Sequence, residues 1–150
     1  MAAEPAPFQQ GDRHMKYFER LRWIVTGLMA AFMLMASIPD ILQIPPAVSL
    51  FTHLGYPTYL LPFLGTAKTL GVVVTLIPGV WRLKEWAYAG LVFNLTGALY
   101  SHISVGDGPS GWAFPAIGLL LVVGSYAFHR RELNHRVLGS FLVSGQEARA

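Results

Sequence analysis

Lys68 stands near the middle of an apolar run, Pro57 to Val80, that otherwise carries no charge. At the centre of a membrane span a lysine costs roughly 2.5 to 3.5 kcal/mol on insertion scales, so it is expected to face a bundle interior and to mark a site or a partner. Asn94 lies halfway along the following apolar stretch, at nearly the same depth. Its amide carbonyl can accept from an ammonium without neutralising it, whereas a lysine that has lost its proton in a dry interior can act as a base. Lys68 and Asn94 are therefore the candidate catalytic pair. A second polar group, Ser37, Asp40, His53, Tyr56, Tyr100, Ser101, His102 and Asp107, falls at the opposite end from most basic residues. Within it Asp40, His53, Tyr56, Tyr100, Ser101 and His102 form the candidate ligand-binding set for a small polar-headed lipophile. The alternative reading is a set of hydrogen bonds tying loops to helix ends. Two histidines and two carboxylates at these spacings match no compact metal-ligand motif, and no metal site is expected.

The elements that carry these residues read as membrane helices. A chain of 150 residues that is 53% hydrophobic, with a mean hydropathy of +0.45, is too apolar for a soluble domain of its size. Four stretches have spanning length: Trp23 to Pro39, Pro57 to Val80, Trp86 to Val105 and Trp112 to His129. The expected fold is all-α, a four-transmembrane-helix bundle with helices over about 22–40, 57–80, 85–105 and 112–129. Ten of the eleven basic residues lie before the first stretch, between the second and third, or after the fourth, and the eleventh is Lys68. By the positive-inside rule both termini are then cytoplasmic, and the net charge of +3 is a topology signal rather than a nucleic-acid footprint. Trp23, Trp81, Trp86 and Trp112 stand at or near the ends of the stretches, as interfacial aromatics do.

Outside the bundle, assigned to residues 13–131, residues 1–12 lack periodicity and read as a disordered tail, and 132–150 as a cytoplasmic tail with a weak case for an amphipathic helix. The first helix is followed by Pro39-Asp40 rather than a small-residue cleavage site, which argues against a signal peptide. Between Asp40 and Tyr56 the pair Pro45-Pro46 and the apolar run Ala47 to Phe51 suit a short interfacial or re-entrant segment. With no cysteine, thiol chemistry within the chain is excluded, and any redox chemistry must come from a bound molecule or a partner.

Spacing assigns faces. Thr26, Ala30, Met33, Ser37 and Asp40 share one face of the first helix, and Gly65, Lys68, Gly71, Val72 and Thr75 one face of the second. On the third helix Ala87, Gly90, Asn94, Gly97, Ala98 and Ser101 form a small-residue stripe that reads as the packing face, with Val92, Leu95 and Leu99 off it.

Several of these motifs occur together in a known family. The Pro39-Asp40 helix end, His53-Leu54-Gly55-Tyr56-Pro57, Gly65-x-x-Lys68-x-x-Gly71, Leu83-Lys84-Glu85-Trp86-Ala87-Tyr88-Ala89-Gly90 and Asn94-Leu95-Thr96-Gly97-Ala98-x-Tyr100-Ser101-His102 jointly resemble the DoxX-like family of small four-helix bacterial membrane proteins, over roughly residues 20–131. The resemblance implies the bacterial cytoplasmic (inner) membrane as location, and an aspartate at the position of Asn94, a charge this chain lacks. Members of the wider grouping are similar to subunits of a thiosulfate:quinone oxidoreductase, and others are linked to oxidative-stress assemblies or membrane assembly. What it implies here is a quinone or another lipophile held near Lys68, membrane lipids and a redox partner subunit as associates, and no nucleic acid. A homodimer is compatible with the small-residue stripes. No cofactor motif lies in the chain itself. A stand-alone enzyme, an isomerase or quinone-linked oxidoreductase with Lys68 as base, and a structural or assembly protein are the other readings.

Overall fold

The computed structural model describes the backbone of residues 7–147 and the side chains of Tyr17 and residues 20–131. It is all-α: five helices in the order α1 (Pro7–Ile41), α2 (Pro45–His53), α3 (Leu60–Leu76), α4 (Trp81–Ser104) and α5 (Pro109–Glu147), with no strand among the described residues. Helix α1 begins inside the segment read as a tail, while residues 1–6 and 148–150 lie outside the described residues. The backbone of α5 continues through most of the segment read as a C-terminal tail, whose amphipathic character rests on side chains outside the described residues.

Two helical segments are long and apolar enough to cross a membrane, Arg20–Ile41 and Pro109–Arg131. The second expected span is shorter than its apolar run. It occupies Leu60–Leu76 because Pro57 and the Pro78-Gly79 turn, with Gly79 at φ +88°, bound it on either side. Helix α4 is 24 residues long but carries Arg82, Lys84 and Glu85 in its first turns and Asn94 at mid-length. Length and composition thus identify two spans, where four were expected.

The long helices form a ring in which α1 packs on α3 and α5, and α4 packs on α3 and α5. At its centre lie Met29, Ala30 and Met33 of α1, Val72 of α3, Tyr88, Leu91 and Leu95 of α4 and Val122 of α5. The expected faces of α1 and α3 are the ones turned inward: Thr26, Ala30, Met33, Ser37, Asp40, Gly65, Val72 and Thr75 are buried. The expected face of α4 is turned inward only in part: Ser101 is buried and Ala87, Asn94 and Ala98 are half-buried. Leu91 and Leu95 enter the core, while Gly90 and Gly97 are exposed and have no neighbour within 4 Å of where a Cβ would sit. Those small residues border open cavities instead of a neighbouring helix. Around the outside, Ile24, Leu28, Phe63 and Leu120 all face outward. An exterior this apolar suits a lipid environment.

The apolar run after α1 folds as α2. Its two prolines occupy the first helical positions, where their missing N–H is not needed. It ends in a Schellman turn, with Gly55 at φ +77°, Tyr56 N–H bonded to Phe51 C=O at 2.9 Å and Gly55 N–H to Thr52 C=O at 3.1 Å. Helix α4 ends the same way, with Gly106 at φ +83° and Asp107 N–H on His102 C=O at 2.9 Å.

Candidate functional site

Lys68 donates to Oδ2 of Asp40 at 2.5 Å, and both side chains are 12% exposed. Gly65 makes this meeting of α3 and α1 possible. A Cβ there would stand 2.8 Å from Ile41 Cγ1, 2.9 Å from the Ser37 carbonyl oxygen and 3.0 Å from Asp40 Cβ. With only a hydrogen at that position, α3 presses onto the last turn of α1, and Lys68, one turn further on, reaches the carboxylate. The sequence reading set Asp40 at the outer mouth and Lys68 at mid-depth because it aligned the helix ends in one plane. Helix α1 instead stops beside the middle of α3. Eight residues separate Leu60 from Lys68, so α3 extends about 12 Å beyond the pair, and α2 covers the space above α1.

Beneath α2 lies a cavity of about 550 Å³, walled by all five helices. Its lining is apolar, including Met33, Leu50, Phe51, Phe93 and Phe114, apart from Asp40, Tyr56, Lys68, Asn94 and His102. A second, more open groove of about 430 Å³ runs between α3 and α4 past Gly71, Trp86 and Gly90, and Leu64, Lys68 and Asn94 border both spaces. An ammonium has three donors, of which Asp40 takes one. Among the described residues no other side chain or carbonyl takes the remaining two, and the Asn94 amide has no hydrogen-bond partner. The half-open, largely apolar cavity therefore offers N–H donors that no described side chain takes, in a space of the size that small-molecule sites have.

At the α2 end of the bundle one carboxylate gathers two histidines, one local and one from across the molecule. The Schellman turn of α4 folds Asp107 back over His102, and Oδ2 of the carboxylate accepts from His102 Nδ1 at 2.6 Å. His53, the last residue of α2, donates Nε2–H to Oδ1 of the same carboxylate at 2.7 Å. Hydrogen bonds from His102 and then His53 hold the Asp107 carboxyl below its ordinary value of 3.8. Beside this group, Tyr56 and Ser101 share a hydroxyl contact of 2.7 Å, and Ser101 in turn donates to the Gly97 carbonyl at 2.8 Å.

Of the residues expected at the site, Lys68, Asn94, Asp40, Tyr56 and His102 border the cavity. Ser101 holds Tyr56 behind it, and His53 reaches it only through Asp107. Tyr100 is not brought in: it is 72% exposed on the outer face of α4. Lys68 bonds to Asp40 rather than to Asn94, which is its neighbour along the cavity wall. Sequence reasoning missed a further polar layer at the other end of the bundle. There the Ser125 hydroxyl meets those of Tyr88 at 2.9 Å and Thr26 at 3.0 Å, and Tyr126 donates to Glu85 at 2.7 Å. The signal available was Ser125, a serine inside the apolar stretch from Trp112 to His129.

The family model of the DoxX-like family matches residues 24–125, more than half of the chain and every residue of this site. No curated protein and no solved structure matches the chain.

Proposed function

The chain thus belongs to the DoxX-like family, and we propose that it is a membrane-embedded binding protein for a quinone or similar lipophile bearing ring carbonyls, acting as an accessory subunit of a membrane redox system. The observation that carries this reading is the set of uncommitted donors on Lys68 and Asn94 inside an apolar cavity. Ring carbonyls are acceptors without a donor of their own, and they match N–H groups that would otherwise go unbonded. The α3–α4 groove, which Leu64, Lys68 and Asn94 border together with the cavity, gives a hydrophobic tail somewhere to lie. In this reading α3 and α4 also span the membrane, with both termini on the cytoplasmic side of a bacterial inner membrane. The outward-facing apolar side chains and the distribution of basic residues support that topology. A free-base role for Lys68 fits less well, because its Nζ is committed to the Asp40 carboxylate.

Native mass spectrometry of the protein in lipid nanodiscs, wild type against Lys68→Met, tests the reading. A bound non-phospholipid molecule that the variant loses supports it and gives the ligand's chemical class. An empty wild type, or an unchanged variant, favours a structural or assembly role instead.

A further inference from the structure

The Asp107 carboxylate joins two histidines in very different surroundings. The His53 side chain is 55% exposed, Asp107 is 20% exposed and His102 is 8% exposed. The separations are 2.7 Å and 2.6 Å, so the three groups make one unbroken line of hydrogen bonds from the aqueous surface to the cavity wall. His102 spends Nδ1 on Asp107, which leaves Nε2 as the nitrogen available to the cavity that the residue borders. A carboxylate on one ring nitrogen fixes the tautomer and orientation of the other, as an acid–base histidine requires. Closing α2 down does not need this line, since Tyr56 and Ser101 already tie the connection after α2 to α4.

From this geometry we infer that His102 and Asp107, with His53 orienting the carboxylate, form a proton path between the outer aqueous phase and the cavity, and that the bound quinone carries an exchangeable hydroxyl beside its ring carbonyls, as a 2-hydroxyquinone does. The inference rests on the binding reading above and specifies its ligand class. In the releasing direction a ligand hydroxyl gives its proton to Nε2 of His102 and keeps the bonding electron pair on oxygen. The imidazolium passes its Nδ1 proton to the Asp107 carboxylate. The carboxyl then releases that proton to water at its exposed side, while the Nε2–H of His53 keeps the carboxylate oriented. One proton leaves the hydroxyl and one reaches the solvent, so the protein regains its starting charge with His102 left in the Nε2–H tautomer, one transfer for each ionisation of the ligand. Other ionisable groups near His102 are Tyr56 from the connection after α2 and, across the cavity, Asp40 of α1 and Lys68 of α3. Helix α5 brings Phe114 and Pro115 to the cavity and no titratable side chain among its described lining residues.

The test uses the full chain in lipid nanodiscs and, as probe, a 2-hydroxy-3-alkyl-1,4-naphthoquinone, whose hydroxyl ionisation is visible in its absorption spectrum. Asp107→Asn and His53→Gln alter groups that do not border the cavity, so both variants are expected to bind the probe as the wild type does. After a stopped-flow pH jump the bound probe changes ionisation state at least about tenfold more slowly in Asp107→Asn than in wild type, the scale expected for loss of a positioned acid–base group. His53→Gln, a change at a half-exposed ring, slows it in the same direction and reports on the path even if Asp107→Asn folds poorly. Equal rates in all three proteins with the probe bound overturn the proton path and leave the binding reading intact. Failure of the wild type to bind, or binding indifferent to Lys68→Met, overturns both.

Discussion

A lysine is tolerated among membrane helices when a partner takes its charge, and the carboxylate of Asp40 does this for Lys68 at 2.5 Å. The pair is worth less than its geometry suggests, because both groups lost water to form it. Removing one partner is a different matter, since it strands the other. Lys68→Met or Asp40→Asn alone is expected to destabilise the bundle by about 3 kcal/mol, and the double variant Asp40→Asn/Lys68→Met by clearly less than either single change. Denaturant unfolding of the four proteins in matched lipid measures the cycle, and strictly additive losses would show that the two side chains do not interact. Asp107 gives a prediction in pH. Its folded-state value lies below 3.8, so its hydrogen bonds contribute in full above that value and are lost only as pH falls through the lowered one. The difference in melting temperature between wild type and Asp107→Asn is therefore expected to persist at mildly acid pH and to shrink below the ordinary carboxylate range. A difference that disappears already near neutrality would mean that the carboxylate is not what titrates.

Two glycines separate close helix contact from open space. At Gly65 a methyl group would press on the backbone of α1, which cannot yield as a flexible side chain would. Gly65→Ala is expected to cost about 1–3 kcal/mol and to loosen the Lys68–Asp40 contact. At Gly90 nothing lies within 4 Å, and Gly90→Ala is expected to be neutral or to stabilise α4 by about 0.4–1 kcal/mol. Unfolding of the two variants side by side decides it, and equal losses would mean that α4 is as tightly packed there as α3 is on α1. The same contrast shows where the sequence was readable. Helices α1 and α3 bury the faces that their spacing indicates, because Asp40 and Lys68 neutralise each other there and Thr26 finds the Ser125 hydroxyl across the bundle. On α4, size misleads: small residues every three or four positions are the pattern both of a tight helix contact and of a wall left open to a ligand, and Gly90 and Gly97 border open space. The Schellman turn that sets Asp107 over His102 has a local signature in Val105-Gly106-Asp107, but the arrival of His53 at the same carboxylate depends on where α2 packs, which no local pattern specifies.

For the whole molecule, the polar contacts divide between the two ends in a way that bears on topology. At one end His53, Asp107 and His102 join α2 to α4 with no lysine or arginine among them; at the other Arg130 donates to the Tyr126 hydroxyl and lies 3.8 Å from Glu85, which follows Arg82 and Lys84 in sequence. Translocating a basic loop is disfavoured, so the end bearing Arg82, Lys84, Arg130 and Arg131 is expected to stay in the cytoplasm. The hydropathy of α1 and α5 alone would allow a two-span protein in which α3 and α4 lie on one side of the membrane. The two arrangements differ in where the connections fall. Because the chain has no cysteine, single cysteines report without background. With four spans, Tyr59→Cys and Gly108→Cys are labelled by a membrane-impermeant maleimide on intact spheroplasts, and Pro78→Cys only after permeabilisation. With two spans, α3 and α4 no longer carry the chain across, and all three positions share one pattern. Labelling of Pro78→Cys alone on intact spheroplasts would invert the bundle and move the outer mouth of the cavity, with its line from His53 to His102, to the cytoplasmic side.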